Sequence, residues 1–303
     1  MTMTNEKLNK ANKNKKDEFY TRYSDVEREL NNYKLQGKTI FCNCNDDMDG
    51  AFHRYFIRNF EKLNIKKIIC TTYGSGAEKI IYDGNGTVKT TALKSGDFES
   101  EECLELLKES DVVVTNPPFS KFRQFVDLLM RYKKQFVIIG HQNAITYSSI
   151  FPHIKDNKIR LGYGFSGNVG FFTSPYEDVA VASQHKAGLI RVSGVMWFTN
   201  FDTDIKPRIN LTHTYVPAKY PHYDNYNAIE VSKTKNIPCD YDGVMGVPIT
   251  FMTKYNKAQF EIIGCSESEG NGLSNGLWTG GIKQPLVNGK KLYKRIFIRR
   301  CGK

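Results

Sequence analysis

The chain has 303 residues, a formal charge of +11 and seven cysteines, enough for two domains at roughly 150 residues each. That length builds a core without disulfide or metal staples, and 13% aromatic residues exclude a disordered tail, a coiled coil and a collagen-like chain. No apolar run approaches the roughly 20 residues of a membrane span, so no membrane partner is expected.

Residues 1–16 are polar and crowded with Lys7, Lys10, Lys13, Lys15 and Lys16. They read as a flexible basic arm, without the apolar stretch of a secretory signal. Val26, Leu30 and Tyr33 follow at helical spacing, which predicts a helix over 24–34 ended by Gly37. Thr39-Ile40-Phe41-Cys42 is a short apolar strand, and Phe52, Phe56, Ile57, Phe60 and Leu63 mark an amphipathic helix over 52–63. A strand at 67–70 comes next. The insertion 74–95 holds Asp83-Gly84 and Asn85-Gly86, turn signals that suggest a hairpin.

A helix over 99–109 leads into Asp111-Val112-Val113-Val114-Thr115, a β-branched run of the kind found in strands buried on both faces. Phe122, Phe125, Val126, Leu129 and Met130 predict a helix over 121–132, and Phe136-Val137-Ile138-Ile139 a further buried strand. Strand and helix thus alternate through the first 140 residues. That pattern predicts an α/β fold with a doubly wound, mainly parallel sheet, whose ligands bind at the carboxyl ends of the strands. Beyond about residue 160 short strands take over, at 190–200, 247–252 and 260–263. A soft boundary falls near residue 200, dividing a core over 17–200 from a region over 201–303.

The cysteines, Cys42, Cys44, Cys70, Cys103, Cys239, Cys265 and Cys301, form no CxxC pair. Cys42 and Cys44, two apart on a strand, read as packing residues of a reducing cytosol, with metal binding the lesser alternative; no metal site is expected. Basic charge also gathers at the C-terminus. From Lys283 onward come Lys290, Lys291, Lys294, Arg295, Arg299, Arg300 and Lys303, with no acidic residue among them. Clustered cations suit a polyanion, because each neutralised phosphate releases condensed counterions.

The chemistry is carried by Asn116-Pro117-Pro118-Phe119, directly after the buried strand. Two prolines fix φ and remove two N–H donors, leaving a stiff turn whose carbonyls point outward. Such a turn suits methylation of an exocyclic amino group, whose nitrogen is conjugated with its ring and weakly nucleophilic. The Asn116 oxygen and the Pro117 carbonyl can accept the amino hydrogens, favour a tetrahedral nitrogen and stabilise the charge that develops there. The Phe119 ring can stack on the base and hold it in line. His141, in Gly140-His141-Gln142-Asn143, is read as a structural or positioning residue, because the methylated amine can release its proton to water.

The sequence resembles the EcoRI-type adenine-specific DNA methyltransferases over nearly its whole length. The shared words include Asp17-Glu18-Phe19-Tyr20-Thr21, Phe41-Cys42-Asn43-Cys44, Gly96-Asp97-Phe98, Asp111 through Phe125, Phe136 to Tyr147, and Cys239 through Phe251. The resemblance implies a class I S-adenosylmethionine-dependent, Rossmann-like core with a C-terminal mixed α+β recognition region. It implies S-adenosylmethionine as donor and N6 of a flipped adenine in duplex DNA as acceptor. Asn116, Pro117, Pro118 and Phe119 match the catalytic motif. Phe19, Tyr20 and Thr21 match an N-terminal cofactor motif, and Asp97 and Phe98 the segment beside the cofactor adenine. The loop Asn43-Cys44-Asn45-Asp46-Asp47 should pass beneath the cofactor, with Asn43, Asn45 and Asp46 as its contacts. It departs from the family's Cys-Asp-Asp-Pro, and Thr71, Thr72 and Tyr73 stand where a ribose-binding carboxylate is usual.

Sequence reading should lie in the C-terminal third. Lys290, Lys291, Arg295, Arg299 and Arg300 are the expected DNA contacts; Asn271, Asn275, Gln284, Arg295, Arg299 and Arg300 are able to read base edges, without a division between base and phosphate contacts; and Tyr220, Tyr223 and Tyr226 either interleave with DNA or pin an irregular domain. The expected protein is a cytoplasmic monomer, nucleoid-associated through DNA, which protects or marks DNA, with a restriction endonuclease acting on the same site as a possible partner. Two alternatives stay open: a catalytically idle DNA-binding module, and an amino-methyltransferase acting on RNA or a protein amide.

Overall fold

The computed structural model describes residues 20–43, 48–74, 76–86, 88–165, 169–173, 190–266 and 272–302. The basic arm, Phe19, Cys44, Asn45, Asp46, Asp47 and Asn271 lie outside them, and of Tyr20 only the backbone is described. The chain divides into two compact units. One takes the chain to His141 and resumes over Leu161–Phe201; the other takes Gln142–Arg160 and Asp202–Lys303.

The first unit begins with β1 (Tyr20–Thr21), α1 (Tyr23–Leu30), β2 (Thr39–Cys42), α2 (Ala51–Arg58) and β3 (Lys67–Thr71). It continues with β4 (Glu78–Tyr82), β5 (Lys89–Ala92), α3 (Glu101–Glu109), β6 (Val112–Thr115), α4 (Phe122–Arg131) and β7 (Gln135–His141). After α5 (Phe151–Lys155) of the second unit come β8 (Arg160–Leu161), β9 (Val169–Thr173), β10 (Ile190–Ser193) and β11 (Val195–Thr199). The larger sheet has the order β5-β4-β3-β2-β6-β7-β11-β8.

Its centre is the expected parallel sheet: β3, β2, β6 and β7 all run the same way. Every residue of β2 and β6 is buried, which is why these strands read as unbroken apolar runs. Antiparallel strands extend this centre on both sides, so the sheet is mixed. On one side β4 and β5 form the expected hairpin beside β3, with Gly84 at φ +88° and Gly86 at +76°. On the other β11 lies antiparallel to β7.

Three expected boundaries move for local reasons. Helix α1 stops at Leu30 because the Asn32 amide takes the carbonyls of Arg28 and Glu29 at 2.8 and 2.9 Å; Gly37 sits in a later turn. Helix α2 stops at Arg58, where Asn59 turns its amide back onto the Tyr55 carbonyl at 2.9 Å. The single strand expected over 190–200 is two strands, broken at Gly194 with φ +74°. The break sends β10 into a second sheet of order β1-β9-β10. A buried carboxylate ties α1 to the segment after β8: Glu29 accepts from the Tyr33 hydroxyl at 2.6 Å and from the Gly164 amide at 2.9 Å.

The second unit centres on a sheet of β12 (Ile229–Glu230), β13 (Met245–Pro248), β17 (Arg295–Arg300) and β14 (Phe260–Cys265), in that order. Strand β13 ends at Pro248 and a 3-10 turn follows over Ile249–Lys254, where the sequence suggested continued strand. The hairpin of β15 (Leu286–Val287) and β16 (Lys290–Lys291) turns on Asn288-Gly289, both at positive φ, the dipeptide preferred by two-residue hairpins.

Candidate active site

Strand β2 is where the order of the parallel sheet reverses: the chain leaves it to β3 on one side and later returns to β6 on the other. The crevice beyond the carboxyl ends of β2 and β6 is therefore the topological switch point, the usual ligand site of such sheets. Asn43 leaves β2 there and Asn116 leaves β6. The Thr115 hydroxyl donates to the Asn43 carbonyl and ties the two strand ends together. Asn43 itself is buried, and its Oδ1 has no hydrogen-bond partner among the described residues.

The Asn116 amide nitrogen donates to Thr21 Oγ1 at 3.3 Å. Thr21 reaches this place on β1, which pairs with β9 opposite Phe172. The sequence motif at the N-terminus and the motif after β6 thus meet directly. Past the prolines the chain makes a 3-10 turn over Phe119–Lys121, closed by the Lys121 amide on the Pro118 carbonyl at 3.0 Å. Phe119 is 9% exposed, and its ring tilts against His141, at the end of β7, with centroids 6.4 Å apart.

Gly96-Asp97-Phe98 lies against the end of β3. A Cβ on Gly96 would stand 1.8 Å from the Thr72 carbonyl oxygen, so only glycine permits that approach. Phe98 is buried edge-on against Phe125 at 5.0 Å. Asp97 Oδ1 accepts from the Glu99 amide at 3.0 Å, and Oδ2 pairs with Lys121 at 2.7 Å. Burial works to raise the Asp97 pKa, but the Lys121 ammonium and the Glu99 N–H outweigh it and hold the carboxyl below its ordinary range. Lys121 is shifted upward by the same bond. Lys121 carries no local sequence signal and escaped the sequence reading.

A family model described as "Adenine-specific methyltransferase EcoRI" matches residues 7–87 and 79–301. The chain belongs to the EcoRI-type adenine-specific methyltransferase family. It is 39% identical to the type II methyltransferase M.EcoRI of Escherichia coli, covering 98% of this chain and 97% of the relative. It is also 39% identical to the type II methyltransferase M.MgeORF184P of Mycoplasma genitalium, covering 97% and 98%. Identity to M.MpnI of Mycoplasma pneumoniae is 34%, covering 96% and 97%. No solved structure matches the chain. The chain is thus a site-specific DNA adenine methyltransferase, and the α/β sheet is its methyltransferase fold.

In the second unit of this methyltransferase the basic residues separate into two kinds. Lys290 and Lys291 are exposed on the β15–β16 hairpin, whose tip is held by the Asp224 carboxylate accepting from the Asn288 and Gly289 amides at 3.1 and 2.7 Å. The Asn288-Gly289 dipeptide could have revealed this hairpin. Arg299 is exposed, 3.9 Å from Glu261, and Arg300 donates to the Cys239 carbonyl.

Arg295 departs from the expectation of a DNA contact. It is buried, with Nε and Nη2 on the two oxygens of Glu230 at 3.0 and 2.8 Å. The tyrosines expected to interleave with DNA or to pin the domain do the latter. Tyr220, Tyr223 and Tyr226 are buried, with hydroxyls donating to the Asn236 carbonyl, Glu230 and the Lys283 carbonyl. Asn275 occupies a left-handed turn at φ +55°. Asn143 accepts from the Tyr293 hydroxyl within the second unit. Among the described residues no helix is long and apolar enough to cross a membrane.

Proposed function

We propose that the enzyme methylates N6 of an adenine turned out of duplex DNA, with S-adenosylmethionine as donor. The observation that carries this reading is the placement of Asn116-Pro117-Pro118-Phe119 at the switch point, with the Asn116 amide oriented by Thr21 at 3.3 Å. When bound, the donor supplies an electrophilic methyl on a sulfonium. Its polar ends suit the donor set present: Asn43, with a buried side-chain Oδ1 that lacks a partner among the described residues, and Asp97, held ionised. Thr21, Asn43, Asp97 and Phe98 are assigned to the donor, with Phe19, Tyr20, Asn45 and Asp46 proposed on the sequence pattern alone.

The Asn116 Oδ1 and the Pro117 carbonyl accept the two amino hydrogens and draw the nitrogen toward tetrahedral geometry. They stabilise its growing positive charge where water is excluded. Phe119 steadies the base, and His141 supports the Phe119 ring. After transfer the extra proton passes to water. The second unit is assigned target recognition, with Lys290, Lys291, Arg299 and Arg300 toward phosphates, as a cytoplasmic monomer that protects its site from a nuclease.

The test is a product assay on mixed-sequence duplex DNA with S-adenosylmethionine, digested to nucleosides and weighed. N6-methyldeoxyadenosine is expected, and Asn116→Ala should lower turnover at least about 10²- to 10³-fold while binding duplex and donor. Full turnover in Asn116→Ala, or methyl on another nucleoside, refutes the reading.

A further inference from the structure

The turn that carries Asn116 and the segment that carries Asp97 come from different parts of the chain, and the Lys121 side chain bridges them. Lys121 Nζ lies 2.7 Å from Asp97 Oδ2 and 5.2 Å from the centroid of the Phe98 ring. Its backbone is held to the Pro118 carbonyl at 3.0 Å. Between Asn116 and Lys121 the two prolines fix φ and the 3-10 turn over Phe119–Lys121 closes on the Pro118 carbonyl, which couples the place of Lys121 to that of Asn116. On the other side, Gly96 is pressed on the Thr72 backbone and Asp97 Oδ1 is held by the Glu99 amide.

We infer that Lys121 is a positioning residue, which acts through Asp97 to set the distance between the donor segment 96–98 and the turn 116–121. The inference rests on the roles proposed above for Asn116 and Asp97. The ordinary alternative is a surface ion pair without consequence. The side chains are 41% and 28% exposed, so the pair adds little to folding stability, and that small contribution makes the two alternatives separable.

Lys121→Gln, Lys121→Met, Lys121→Arg, Asp97→Asn and the double variant Asp97→Asn/Lys121→Gln are compared by kcat, KM for S-adenosylmethionine, duplex Kd and thermal midpoint. Misplacement of reacting groups by an ångström costs on the order of 10²-fold. Lys121→Gln and Lys121→Met should raise the donor KM and lower kcat, with kcat/KM down about tenfold to a hundredfold. The thermal midpoint should move by less than about 3 °C, and duplex Kd should not move. Lys121→Arg, which keeps a donor to Asp97, should recover most of the loss, and the double variant should be no worse than Asp97→Asn alone.

The inference is overturned if Lys121→Gln and Lys121→Met keep kcat/KM within about twofold while Asn116→Ala is inactive. It is also overturned if both lose thermal stability in proportion to activity, or if the losses at Asp97 and Lys121 multiply. A fully active Asn116→Ala would instead remove the active-site reading on which it rests.

Discussion

Arg295 offers the sharpest test of the second unit, because its sequence context and its structure assign it opposite roles. It stands in a basic C-terminal run, yet its side chain is 9% exposed and faces a Glu230 side chain that is 8% exposed. The two N–H···O bonds measure 3.0 and 2.8 Å, a bidentate pair, and Tyr223 donates to the same carboxylate. The guanidinium also donates to the Tyr293 carbonyl at 2.9 Å. Arg295→Met keeps the volume and removes the charge, leaving a buried carboxylate without its cation. Breaking a buried pair on one side costs about 3–5 kcal/mol, which lowers the melting temperature by on the order of 10 °C. Arg295→Met/Glu230→Leu removes both charges and should recover most of that loss. The assay is thermal and urea unfolding, run beside duplex affinity as a function of salt. An unchanged midpoint, with a shallower dependence of affinity on salt, would refute the buried pair and return Arg295 to the DNA surface.

The exposed lysines should behave in the opposite way. Lys290→Ala and Lys291→Ala should leave the melting temperature within about 2 °C, and each should weaken duplex binding and reduce the log–log salt slope by about 0.9 if it contacts a phosphate; an unchanged slope in both would take the β15–β16 hairpin out of the interface. Alkali should destabilise the protein through its buried tyrosines. Burial and then the Glu29 carboxylate push the Tyr33 hydroxyl far above its ordinary value, and burial and then Glu230 do the same to Tyr223. A pKa raised in the folded state contributes stability that is complete below about pH 10 and is lost as the pH rises beyond it. Unfolding midpoints should therefore fall above that pH, and less steeply in Tyr33→Phe; a flat profile would place both hydroxyls in water.

What the sequence disclosed was local and periodic. The run Val112 to Val114 and the spacing of Phe122, Phe125, Val126 and Leu129 state their own burial, and Asp83-Gly84 and Asn85-Gly86 state their hairpin. Asn116-Pro117-Pro118-Phe119 was readable because a buried strand precedes it directly. What stayed hidden depends on partners far along the chain. Nothing near Arg295 announces Glu230, 65 residues away, and nothing near Lys121 announces Asp97, 24 residues away. Gly194 looks like any strand glycine until two sheets compete for its flanks. The second unit is also discontinuous: Gln142–Arg160 packs with Asp202–Lys303, an arrangement no periodicity encodes.

On the proposed mechanism, Asp97 beside the end of β3 and Asn116 at the switch point differ in kind, and the difference follows from what surrounds each. Asp97 carries a full charge and has a cation beside it, so its charge is offset before any ligand arrives. Asn116 is a neutral amide, partly buried, and a formal anion there would demand a counter-charge to offset its desolvation. An amide instead presents a fixed dipole, provided something holds it in one orientation. Thr21 does so from 95 residues away, by accepting from the amide nitrogen. The Asn43 carbonyl, held by Thr115, fixes the neighbouring strand end. Preorganised dipoles stabilise developing charge without reorganising at the moment of reaction. On that mechanism the short sheet β1-β9-β10 bears on catalysis although none of its residues takes a hydrogen of the substrate's amino group: it places the Thr21 hydroxyl that orients Asn116.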